Sequence, residues 1–89
     1  MKSVVTVMGI DRPGIIAKVS GCLFENGINI LDINQTIMQN IFSMVMLVEF
    51  GNEGQDSTVV MSALEKVGAE MGVDIRMQHE DIFKSMHRI

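Results

Sequence analysis

Gly9-Ile10-Asp11-Arg12-Pro13-Gly14 closes a β-branched apolar run and opens an amphipathic one, and Gly27-Ile28-Asn29-Ile30 follows one helix-length later. This pair constrains the fold most, because it reads as strand, tight turn, helix, stop and strand. Val4-Val5-Thr6-Val7-Met8 has the residue types that fit a pleated surface. It predicts a strand over Lys2 to Met8, central in its sheet and buried on much of both faces. Pro13 suits a first helical position, where its missing N–H costs nothing, and it holds Arg12 in extended backbone as the expected cap. Ile15, Ile16, Val19, Cys22 and Leu23 recur at helical spacing while Lys18 and Glu25 face away, until Asn26-Gly27 stops the helix.

Ile28 to Gln39 reads as a second strand, with Leu31, Ile33 and Ile37 on one face and Asp32, Asn34 and Thr36 on the other. The polar face suits a strand near a sheet edge. After a weak turn at Gln39-Asn40, Ile41 to Phe50 alternates as a third strand with Phe42, Met44, Met46, Val48 and Phe50 on one side, so the two form a hairpin. Asp56 or Ser57 can cap a helix carrying Val60, Leu64, Val67 and Met71 in one stripe, which Gly72 ends. Val73, Ile75 and Met77 alternate with Asp74, Arg76 and Gln78 as a half-buried fourth strand, and residues 80–89 read as a short C-terminal helix. The order is βαββαβ. Interleaved right-handed crossovers then give an α+β, ferredoxin-like sandwich: an antiparallel sheet in the order 4-1-3-2 with both helices on one face. The expectation is a single domain over 1–89, with a core over 2–79. The other sheet face needs cover from the terminal helix, a partner or solvent-tolerant residues.

A chain of 89 residues builds a small core, for which oligomerisation supplies extra stability. A net charge of −4, scattered cations (Arg12, Lys18, Lys66, Arg76, Lys84, Arg88) and no Trp or Tyr argue against nucleic-acid binding. The apolar run Met44 to Val48 is far too short to span a bilayer, and the chain starts on a strand without a signal-peptide pattern, so a cytoplasmic location is expected. The lone Cys22 allows no intramolecular disulfide and reads as a buried neutral thiol. His79, Glu80, Asp81 and His87 match no zinc spacing and read as a solvated face or a cap; no metal or cofactor is expected. The first loop lacks the Cys-x-x-Cys of a copper chaperone, Phe42 and Phe50 serve the core better than base stacking, and Asp11, Asp32 and Glu49 form no legible catalytic pair. The methionines read as core filler; the sharper alternative puts Met38, Met44 and Met46 on an adaptable dimer interface.

The first turn is the candidate site. A helix start leaves backbone N–H groups without internal partners, aimed at whatever lies in front. An anion gains only about 0.3–1 kcal/mol from such a terminus when exposed, so a carboxylate ligand needs further hydrogen bonds. Asn29 is expected to supply one, if the crossover returns the second strand with its start at the same end of the sheet. The competing reading is a tight strand–helix connection and no more.

Val4 to Met8, then Asp11-Arg12-Pro13-Gly14-Ile15-Ile16-Ala17, then Gly27-Ile28-Asn29-Ile30 and Gln35, resemble the ACT domain family. The resemblance is to stand-alone ACT proteins and to the ACT portions of the glycine cleavage system repressor and formyltetrahydrofolate deformylase. It implies a regulatory homodimer that binds an amino acid or small carboxylate at the subunit interface. By position, Asp11, Arg12, Gly14 and Asn29 would contact ligand, with Ile10, Pro13 and Ile28 as walls. The carboxylate would meet the amides near Gly14, Asp11 would receive an α-ammonium group, and Asn29 would orient the polar portion. No catalytic or DNA-binding domain accompanies these motifs, so regulation implies a partner enzyme or regulator in trans, and the deformylase chemistry does not transfer. Two rivals stand beside this reading: a ligand-free assembly module, and a small acyl- or formyl-group hydrolase, for which no nucleophile–base pair is legible.

Overall fold

The computed structural model describes residues 1–51 and 55–81. The elements are β1 (Lys2–Ile10), α1 (Ile15–Glu25), β2 (Ile28–Met38), β3 (Ile41–Phe50), α2 (Ser57–Met71) and β4 (Val73–His79). The sheet order is β2-β3-β1-β4 with every pairing antiparallel, which is the expected ferredoxin-like arrangement read from the other edge. Of the helix expected over 80–89, residues 82–89 lie outside the described residues.

Strand alternation builds the core. Val5 and Val7 stand across from Met46 and Met44 on one side and Met77 and Ile75 on the other. This row, with Phe42 and Val48, packs beneath Ile15, Val19 and Leu23 of α1 and Val60 and Leu64 of α2. Met44 and Met46 are therefore core residues; of the three methionines proposed for an interface, only Met38 is exposed. The opposite face carries no described helix. There Val4 is buried, but Met8, Ile10, Ile41 and Val45 are exposed, so β1 is not buried on both faces along its length.

Two glycines fix β4 to the rest. A Cβ on Gly9 would fall 2.8 Å from Val73 Cγ1, and one on Gly68 would fall 2.8 Å from the Val73 carbonyl oxygen. Strand and helix thus approach β4 more closely than any side chain allows. β2 is built differently. Its pairing with β3 is interrupted between Ile30 and Asp32, leaving Leu31 as the extra residue of a bulge. Ile28 is buried under α1, whereas every residue from Leu31 to Met38 is exposed.

Helix boundaries follow the caps. Asp56 caps α2 by accepting from Thr58 N–H at 2.8 Å, and Gly72 ends it at φ 71°. The start of α1 corrects the sequence reading. Gly14, not Arg12, is the cap, at φ 94° and ψ −1°. These angles belong to the third residue of a type II turn, which favours Pro in the position before it. Pro13 therefore serves the turn, and the helix begins at Ile15.

Candidate functional site

Three backbone-directed contacts hold the β1–α1 turn. Asp11 N–H donates to the Asn40 carbonyl at 2.8 Å, tying the turn to the tip of the β2–β3 hairpin. Arg12 Nη1 donates to the Met71 carbonyl at 3.4 Å, at the end of α2 where the helix dipole favours a cation. Gly14 supplies the carbonyl for the first bond of α1, from Lys18 N–H at 2.9 Å. Lys18 Nζ also pairs with Glu70 at 3.0 Å on the surface. Among the described residues no side chain caps α1, and its first turn holds no acidic residue. Its leading amides thus lack an internal acceptor, and Ile10 through Gly14 are all exposed around them. A carboxylate is the chemistry this end of the helix can hold.

Asn29 does not complete this site within one chain. Ile10 stands across from Ile41, whereas Asn29 stands across from Glu49, whose β1 partner is Lys2. Asn29 is therefore level with the start of β1, about 27 Å from its end at ~3.4 Å per residue. The cause lies in the connection: α1 runs back along the sheet, so β2 starts where β1 started. Ile28 is a core residue under α1 and walls no pocket at the turn. Of the seven expected site residues, Ile10, Asp11, Arg12, Pro13 and Gly14 come together, and Ile28 and Asn29 lie at the far pole.

Cys22 is buried on the inner face of α1. Burial pushes its thiol above the ordinary range, and the nearby Glu25 carboxylate adds to the effect. Asn26 closes the helix beside it, donating from its side chain to the Cys22 carbonyl at 2.7 Å. Among the described residues no group of three His, Cys, Asp or Glu side chains could hold a metal ion, and no helix is long and apolar enough to cross a membrane.

Sequence reasoning missed a groove at the far pole, lined by Ser3, Thr58, Met61, Ser62, Glu65 and His79 among others. Its signal was present: residues 58, 61, 62 and 65 share one helix face.

The fold and the turn together define a class, and comparison with known proteins agrees. The family model for the ACT domain matches residues 3–78, and the chain belongs to that family. A UPF0237 protein of Methanocaldococcus jannaschii is 56% identical over 86 residues, covering 97% of this chain and 96% of its own. An ACT domain protein from Streptococcus pneumoniae superposes with a TM-score of 0.81 at 40% identity, covering 94% of both chains. A candidate glycine cleavage system transcriptional repressor superposes at 0.77 and 27% identity over 86% of this chain, which matches 44% of that one. A formyltetrahydrofolate deformylase from Pseudomonas putida shares the fold alone, at 12% identity, a TM-score of 0.80, and 88% of this chain against 28% of that one.

Proposed function

We propose that this chain is a homodimeric, non-catalytic regulatory module that binds an amino acid or related small carboxylate at two equivalent sites between subunits. It would pass the bound state to a partner enzyme or regulator in trans. The observation that carries the reading is the separation of the two half-sites along β2. Among the described residues the strand has one unpaired side, its start holds Asn29, and its end adjoins the hairpin tip to which the turn is bonded. Antiparallel pairing with a second copy reverses the strand. A register centred on Gln35 sets Ile33 against Ile37 of the partner subunit and carries the partner subunit's Asn29 about three residues past Met38, which is level with Ile41, to the pole that holds Asn40 and the turn. Two halves that cannot meet in one chain then meet twice in the dimer.

In each site the ligand carboxylate accepts from the leading amides of α1, Asp11 receives the ammonium group, and Asn29 of the partner subunit orients the remainder. Ligand binding then favours the paired state, because an effector shifts an equilibrium only through its differential affinity for the two states. The repressor among the structural neighbours supports a regulatory role.

Complementation tests the arrangement. A calorimetric panel of the proteinogenic amino acids first identifies the tightest binder. Asp11→Ala and Asn29→Ala should each weaken it, by about tenfold per lost charge-assisted or buried hydrogen bond. Mixed and allowed to exchange, the two variants should regain one full-affinity site per heterodimer, built from the intact turn of one chain and the intact Asn29 of the other. A mixture with no recovered site would reject assembly in trans. A stable dimer with no binding across the whole panel would leave the assembly module as the function.

A further inference from the structure

The sheet face turned away from α1 and α2 carries no described helix, and its cover is uneven. Along the outward row of β1, exposure rises from 7% at Val4 to 58% at Met8 and 59% at Ile10. Val45 beside this row is exposed as well, and an open groove of about 350 Å³ lies there, lined by Thr6, Met8, Val45 and Arg76 among others. Val4 stands across from Leu47 and Gln78, near the end of β4, whereas Met8 stands across from Ser43 and Asp74, toward the turn. The covered end of the row is the one where the chain leaves the sheet.

The sequence that leaves it suits an apolar face. The backbone turns helical at Glu80, directly after β4, and His79 Nδ1 accepts from Asp81 N–H at 3.2 Å in the manner of a cap. Glu80 and Asp81 place acidic groups at this helix start, where the dipole favours them. Continued at helical spacing, the sequence sets Ile82, Phe83, Met86 and Ile89 within an arc of ~120°, with Lys84, His87 and Arg88 on the opposite side. The lengths agree. As a helix, residues 80–89 span about 15 Å. From Ser3, which stands across from His79, to Met8 is about 17 Å along β1. The groove on the α2 side of the same pole is lined by Ser3, Thr58, Ser62 and Glu65 among others, and offers such a stripe a mostly polar wall.

We propose that residues 80–89 fold back as an amphipathic helix over the open face of their own sheet. Ile82 and Phe83 then rest on Val4 and Leu47, Met86 reaches the groove beside Val45, and Ile89 comes level with Met8. A second copy is the weaker occupant. A segment joined directly to β4 meets its own sheet at an effective concentration on the order of millimolar, whereas a second copy meets it only at its bulk concentration. Pairing along β2 engages an edge and leaves this face open, so the cover is independent of the dimer and the ligand proposed above.

Nuclear Overhauser spectra of the full chain test the placement. Val4 and Leu47 have no described aromatic neighbour on their face, because Phe42 and Phe50 belong to the core on the other side and Phe24 lies on α1. Contacts from the Phe83 ring to the Val4 and Leu47 methyl groups, and from Ile89 to the Met8 methyl, are the expected result. An isotope-filtered mixture of labelled and unlabelled chains should show that these contacts arise within one molecule. Phe83→Ser should abolish them, move the Val4 and Leu47 methyl resonances, and raise the fluorescence of an added anilinonaphthalene dye several-fold. Contacts found only between molecules would assign the face to a second copy and overturn the proposal. It would equally be overturned by Phe83 contacts to Ser3 or Met61, by no contact to Val4 and Leu47, or by unmoved methyl resonances in Phe83→Ser.

Discussion

Among the described residues β2 and β4 are the two strands with an unpaired side, and they differ in length, charge and cover. β4 has seven residues, carries the exposed ion pair Asp74–Arg76 at 3.0 Å, and buries Val73 and Ile75 beneath α2. β2 has eleven, its only charged residue is Asp32, and its far half lies beyond the helices. Ile33 and Ile37 are 44% and 48% exposed there, on the same side of the sheet as the core. An unpaired strand edge is a template for another chain, and proteins blunt it with short length and charge. β4 is blunted in this way. The guard on β2 is confined to its bulge, where Asp32 Oδ1 accepts the Ile33 N–H at 2.8 Å. One edge is short and charged, and the other, long and nearly uncharged, is the one the proposed dimer would cover.

The largest effect should come from charging the open edge. In the proposed register each Ile33 meets Ile37 of the partner subunit, so the two-fold axis repeats any change. Losing the burial of one isoleucine costs about 1.5 kcal/mol, and two cost about 3, so Ile33→Lys should weaken the dimer roughly a hundredfold. Sedimentation velocity across a dilution series would show a monomer where the parent is dimeric. Arg76→Ala, the matching change on β4, should leave the association constant within a factor of two. Equal effects from both substitutions would erase the distinction between the edges.

The second effect separates the tight seat of β4 from the looser cover near β2. Gly68 and Gly21 are both helical, yet a Cβ on Gly68 meets the Val73 carbonyl oxygen at 2.8 Å while one on Gly21 meets nothing within 4 Å. Ala is favoured over Gly within a helix by about 1 kcal/mol. Gly21→Ala should realise that gain, whereas in Gly68→Ala backbone overlap of ~1–3 kcal/mol outweighs it and the fold is destabilised. Urea unfolding of both variants checks the signs. A stabilised Gly68→Ala would mean that β4 is seated no more tightly than α1's outer face.

The same contrast explains what could be read in advance. Strand alternation and helical stripes are local signals, and β1, β3 and both helices follow them, as does the sheet order. The cap was misassigned because Pro-Gly serves a type II turn as readily as a helix start, and only the φ of Gly14 decides between them. The bulge at Leu31 went unread although it left a mark: Ile28 and Ile30 keep one parity and Ile33 and Ile37 the other, and only an extra residue sets both pairs across from the core residues of β3. Asn29 was drawn to the wrong pole for a geometric reason. Motif spacing records how far apart two segments lie in sequence, and β2 runs parallel to β1, so their starts coincide and the turn lies at the other end. The site proposed between subunits would be legible in one chain only as two halves.

Cys22 offers the smallest effect and the cleanest control on that split. It sits on α1 over the covered beginning of β2, beside buried Ile28. Its thiol is held above the ordinary range first by burial and then by Glu25. A raised folded-state value means that the unfolded chain ionises first as pH climbs. The contribution to stability is thus complete below the ordinary thiol range and is lost as pH rises through the folded value. Because the thiolate is the nucleophile, alkylation of the native protein at neutral pH should be slower than that of a free thiol and should accelerate only on the alkaline side. Ile33→Lys should leave this profile unchanged, since breaking the dimer uncovers the far half of β2 and not α1. A thiol that becomes reactive at neutral pH on dissociation would show that α1 itself depends on the partner, and the two halves of β2 would then be a single cooperative unit.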